Sequence, residues 1–152
     1  MTDLRLGPLP GEGGFFRRTW ESETRLSDGR RASSAIIFLL TSNDFSAWHR
    51  LKSEELWHFH AGDPVELVQL EPSNGKARVT LLGSEGATPQ CLVPGGTWQA
   101  ARIRPAAELR GWALVGCTVT PAWEEKEFEL GQREKMLREF SHEAEWIRAL
   151  TR

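Results

Sequence analysis

Apolar residues along this chain fall into short runs of four to nine, separated by turn-forming residues at close intervals. The breaks lie at Pro8/Pro10 to Gly14, Ser27-Asp-Gly29, Ser42-Asn-Asp44, Gly62-Asp-Pro64, Pro72-Ser-Asn-Gly75, Gly83 to Pro89, Pro94-Gly-Gly96, Gly111 and Pro121. Between them Val, Ile, Phe, Trp, Thr and Leu dominate, as in half-buried strands. The pattern predicts strands over 14–21, 33–40, 47–51, 54–60, 65–70, 76–82, 90–93, 97–103 and 112–120. Pro72-Ser-Asn-Gly75 reads as a hairpin turn. Many short strands at even spacing predict an all-β antiparallel sandwich or barrel.

After Gly131 the period lengthens. Met136, Leu137, Phe140, Ala144, Ile147 and Leu150 are spaced for the apolar stripe of a helix. Ser141 is a candidate cap, so two short C-terminal α-helices broken there are expected, packed on the outside of the strands. No repeat, linker or low-complexity segment divides residues 1–152, which read as a single domain.

Composition narrows the function classes. The 152 residues are 39% hydrophobic and 26% charged with net charge −2, an ordinary globular balance. That balance provides no basic field for nucleic acid or anionic lipid. The longest apolar run, Ala35 to Leu40, is far too short to span a membrane, and the N-terminus has no signal-like core. A cytoplasmic protein is the expectation. The two cysteines, Cys91 and Cys117, lack metal-type spacing and read as reduced core residues.

The candidate chemistry is concentrated in two stretches. One runs from His49 through Glu55-Leu-Trp-His-Phe-His-Ala-Gly62; the other is Pro94-Gly-Gly-Thr-Trp-Gln99. Strand alternation puts Glu55, Trp57 and Phe59 on one face, and His58 and His60 on the other. Trp98 alternates with Gln99. Arg17 and Arg18 fall on opposite faces of the first strand, and Arg18 is a candidate contact for an anionic ligand. Gly11-Glu-Gly-Gly14 lacks the Lys-Ser/Thr of a phosphate loop and reads as a plain turn.

These two stretches resemble the paired motifs of the cupin barrels. Two further stretches sharpen the likeness: Leu9-Pro-Gly-Glu-Gly-Gly-Phe-Phe-Arg-Arg-Thr19, and Leu114-Val-Gly-Cys-Thr-Val-Thr-Pro-Ala-Trp123 followed by Phe128-Glu-Leu130. In order, the four resemble the fifth cupin subfamily over residues 9–140. The resemblance implies a double-stranded β-helix, the cupin jelly-roll barrel, commonly a homodimer. It also implies a cavity between the motifs, holding His49, Glu55 and Gln99.

Metal-binding cupins supply two further imidazoles, where this chain has Ala47 and Gln99. The remaining set, His49, Glu55 and Gln99, is poor for a transition metal, so no cofactor is expected beyond a weakly held divalent metal. Metal-free cupin epimerases pair a His base with a Tyr acid, and this chain contains no Tyr. Three readings stay open. The first is a small-molecule site contacted by Trp57, Phe59, Gln99, Trp98 and Arg18. The second is an isomerase- or epimerase-like enzyme moving protons with His49 and Glu55. The third is a barrel whose buried polar residues only satisfy one another.

Overall fold

The computed structural model describes residues 4–152 as two antiparallel sheets facing one another, with two short helices outside. The strands are β1 (Gly7–Pro8), β2 (Phe15–Glu21), β3 (Ser34–Thr41), β4 (Ser46–Leu51), β5 (Glu54–Gly62), β6 (Val65–Leu70), β7 (Ala77–Leu82), β8 (Gln90–Val93), β9 (Gln99–Ile103), β10 (Trp112–Thr120) and β11 (Phe128–Leu130). One sheet runs β1-β2-β3-β10-β5-β8, and the other β11-β4-β9-β6-β7. Nine strands lie where the turn spacing predicts. The two-residue β1 and three-residue β11 are too short to carry a period and are additions. The Pro72–Gly75 turn closes the β6–β7 hairpin, with the Gly75 amide donating to the Glu71 carbonyl at 2.7 Å.

Alternation divides the central strands of the second sheet, β6 and β9, between two cores. Leu67 on β6 and Ala101 and Ile103 on β9 face inward. They meet Phe38 and Leu40 of β3, Trp57 of β5, and Val115 and Cys117 of β10. Their neighbours in sequence, Val68 and Leu70 on β6 with Ala100 on β9, face outward. That outward row is covered by α1 (Arg133–Glu139) and α2 (Ala144–Ala149) through Met136, Ile147 and Leu150. The apolar stripe of the C-terminal sequence is therefore the lid on the second sheet. Ser141 does not cap α2: it opens a 3₁₀ turn, Ser141–Glu143, and makes no capping bond. The helix breaks one residue earlier, at Phe140, whose backbone leaves the helical region. No helix among the described residues is long and apolar enough to cross a membrane.

Candidate functional site

The barrel is filled by side chains at one end and open at the other. The open end holds a cavity of about 830 Å³. His49, Glu55, Glu12, Cys117 and Trp57 line it, with walls that include Phe16, Ile36, Phe38, Leu51, Val119 and Phe128. Arg17, Arg18, Trp123 and Glu125 also line it.

His49 comes to the cavity through an irregularity in β4. Ser46 pairs with Ala101 and His49 with Gln99, so three residues on β4 span two on β9. The bulge puts Ser46 and His49 on the same, inward face, although simple alternation would separate them. Trp48, between them, points outward under the helices, where its indole N–H donates to the Trp146 carbonyl at 3.1 Å. The His49 ring is buried. Its Nδ1 donates to its own strand's Ala47 carbonyl at 2.8 Å, and Phe128 stacks on the ring at 5.5 Å. Two salt bridges flank Phe128 in sequence and hold β11 in place: Arg30 to Glu127 at 2.7 Å and Arg50 to Glu129 at 2.6 Å.

Glu55 and Gln99 lie on facing sheets and meet across the barrel. The Gln99 amide donates to Glu55 Oε2 at 2.6 Å, while its oxygen accepts the Trp57 indole N–H at 2.9 Å. An indole N–H only donates, so the oxygen of Gln99 must face Trp57 and its NH₂ must face Glu55. That oxygen is turned to the indole, and a neutral amide oxygen suits hard cations better than a transition metal. With His49 Nδ1 also committed, the donors left are one imidazole nitrogen and carboxylate oxygens. That set does not fit a transition metal of the kind metal-binding cupins hold. Among the described residues no group of three His, Cys, Asp or Glu side chains is arranged to hold an ion.

A carboxylate that sequence reasoning passed over completes the floor. Glu12, in the Gly-rich turn before β2, is buried and accepts the Ser46 hydroxyl at 2.7 Å. Its Oε1 lies 3.9 Å from His49 Nδ1, and Glu55 Oε2 lies 3.9 Å from His49 Nε2. His49 thus stands between two carboxylates, each in charge contact beyond hydrogen-bond length. Burial alone would push the imidazole toward its neutral form. Glu12 and Glu55 outweigh it and hold the His49 pKa at about 9. Burial lifts the Glu12 carboxyl above the ordinary carboxylate range, against the opposing pull of His49 and Ser46. Burial, followed by the two carboxylates, also lifts Cys117 well above its usual value, so it is a neutral thiol.

The turn carrying Glu12 is clamped from outside. The Arg152 guanidinium donates to the Glu12 carbonyl at 3.2 Å and to Asp44, while the Gly14 amide donates to Asp44 at 2.7 Å. Gly13 and Gly14 both have positive φ. A Cβ at Gly14 would lie 2.6 Å from the Phe38 ring, so the close approach of this turn to the barrel requires glycine. The one usable signal in the sequence was a lone carboxylate among glycines, and the turn reading absorbed it.

The other expected contacts divide. Trp57 lines the cavity, and Arg18 lies at its edge beside Trp123, 5.8 Å from that ring. Arg17 lines it too, although alternation sets it on the opposite face of β2 from Arg18. Three expectations need correction. Phe59 faces inward but packs against the filled end of the core, leaving it off the cavity wall. Trp98 faces the helices in the outer core, with Arg50 over its ring at 4.6 Å. Gln99 stands behind Glu55 and Trp57 and does not line the cavity. His58 and His60 are on the outer face as alternation requires, with His58 bonded to Thr118 at 3.1 Å and His60 exposed.

Among solved structures, protein SO0799 from Shewanella oneidensis matches with TM-score 0.91 and 33% identity, covering 99% of this chain and 94% of that one. A hypothetical protein from Leishmania major matches with TM-score 0.90 and 28% identity, covering 99% and 95%. Oxalate decarboxylase from Bacillus subtilis, at TM-score 0.60 and 12% identity over 96% of this chain and 37% of that one, shares the double-stranded β-helix alone. No curated protein matches the chain. The family described as Cupin_5, cupin superfamily (DUF985), matches residues 1–131, and the chain belongs to it.

Proposed function

We propose that the protein binds a small organic molecule in the open end of its barrel. The observation that carries this is the cavity of about 830 Å³, with aromatic and aliphatic walls and a floor of three titratable side chains. Concave apolar walls with a few convergent polar groups are the usual form of a small-molecule site. A barrel serving only as scaffold would gain stability by filling that volume. A thermal-shift and Trp57-fluorescence screen of small metabolites tests the proposal. Compounds that raise the melting temperature and quench Trp57 support it; a full metabolite panel with no such compound contradicts it.

One observation favours a second reading, an isomerase- or epimerase-like enzyme. His49 and its two carboxylates line the cavity and can give and take a proton beside a bound carbonyl compound. No cofactor is required for such a transfer. The protein would act as a homodimer, through the outer face of the six-stranded sheet, where Phe15, Trp20 and Leu92 are exposed. Light scattering at micromolar concentration giving a monomer mass would contradict that assembly.

A further inference from the structure

The floor of the cavity has a donor–acceptor order that selects what can reach it, and this inference rests on the small-molecule reading above. Glu12 spends Oε1 on the Ser46 hydroxyl, and Glu55 spends Oε2 on the Gln99 amide. Among the described residues the second oxygen of Glu12 accepts no hydrogen bond, and Glu55 has only the weak thiol donor of Cys117 beside it. His49 has committed Nδ1 to Ala47, so Nε2 is the nitrogen left for a ligand. The 3.9 Å between Nε2 and Glu55 Oε2 is too long for a direct hydrogen bond. The floor therefore presents acceptor, donor, acceptor: Glu12, His49, Glu55, all three on the cavity lining.

Three kinds of polar group can be tried against that row. A carboxylate or phosphate only accepts. It could take one bond from His49, but would stand between two buried carboxylates, where like charges are poorly screened. An ammonium only donates. It would suit the carboxylates but abut a protonated imidazole whose N–H it cannot accept. A hydroxyl does both, and a pair on adjacent carbons can donate to Glu12 and to Glu55 while one accepts from His49. Phe16 and Phe128, half-buried on the lining, provide apolar surface against which the C–H side of a sugar ring can lie.

The geometry points to a neutral polyhydroxy ligand, a sugar or a sugar-like hydroxy-carbonyl compound. Its adjacent hydroxyls enter first and are held by Glu12 and Glu55 on either side of His49. Glu12 is then a recognition residue of the site. Any anionic group on the ligand stays at the level of Arg17 and Arg18.

Four probes sharing one phenyl ring separate the possibilities: phenyl β-D-glucopyranoside, benzoate, phenyl phosphate and benzylamine. Each is titrated near neutral pH and followed by saturation-transfer NMR and Trp57 fluorescence. The glucoside should bind at least about tenfold more tightly than the three charged probes. Glu12→Gln, which keeps an oxygen for Ser46, should weaken the glucoside by about tenfold and narrow its lead over benzoate. Glu55→Gln should do the same, and serves if the first variant does not fold. A charged probe binding as tightly as the glucoside overturns the inference and leaves the cavity reading standing. So does glucoside affinity unchanged in a folded Glu12→Gln or Glu55→Gln variant. Failure of all four probes to bind overturns both.

Discussion

Replacing Glu12 with glutamine removes one charge from a buried row while leaving its shape nearly unchanged. In the native protein His49 is buried, which favours the neutral ring, and yet its pKa rises from 6.5 to about 9. That elevation corresponds to about 3 kcal/mol in favour of the imidazolium. Glu12 and Glu55 each lie 3.9 Å from one ring nitrogen. A pair at that separation is worth about 4 kcal/mol at an effective dielectric of about 20. Losing Glu12 alone therefore removes about as much as the whole net elevation, and burial then prevails. His49 in Glu12→Gln should titrate near or below its ordinary value. Long-range ¹H–¹⁵N NMR titration reads this directly among the four histidines, with His49→Gln identifying the resonance. A His49 pKa remaining near 9 in a folded Glu12→Gln protein would refute the electrostatic account of the floor.

Stability should fall in alkali. The folded pKa of His49 lies above its unfolded value, so its contribution is complete below about pH 6.5 and lost as pH rises through about 9. Glu12, also raised, adds a loss in the same direction as pH climbs above the ordinary carboxylate range. Urea unfolding should show about 3 kcal/mol less stability above pH 10 than at pH 6, with most of the slope missing in His49→Gln. Gln99→Leu strands the Trp57 indole N–H and strips a donor from Glu55; each orphaned group costs about 1–3 kcal/mol by the same measurement. Ile147→Ala opens a void between α2 and the second sheet, and should cost about 2–5 kcal/mol in chemical denaturation. A loss below 1 kcal/mol would mean the helices contribute little to the sheet they cover.

The barrel was legible because its signals are local. Turn residues every few positions delimit the strands, and alternation decides which side chains face in. Parity groups Glu55 with Trp57 and His58 with His60 on opposite faces of β5, and the motif resemblance makes the first face the inner one, as the structure has it. Gln99 was placed by motif spacing, and the structure joins it to Glu55 by a direct hydrogen bond. The misses at Phe59 and Gln99 depend on where along the barrel a residue falls, which parity does not encode, whereas Trp98 obeys parity and faces away from Gln99. Phe59 faces inward like Trp57, but two residues further on the barrel is already filled. Ser46 reaches the floor through a bulge that cancels one step of alternation. Glu12 arrives from a turn outside any strand, held by Arg152 from the far end of the sequence. No period relates those two positions, so only the folded chain brings them together.

We infer that the open end of the barrel holds a small molecule over the Glu12–His49–Glu55 floor. Val119 lines that cavity, and a tryptophan there would occupy it. Wild type and Val119→Trp can be incubated with the same metabolite extract, washed, denatured, and the released small molecules weighed by mass spectrometry. Wild type should retain a compound near one per chain, and a folded Val119→Trp protein should retain none. Equal retention by both proteins, or none by either, would contradict it.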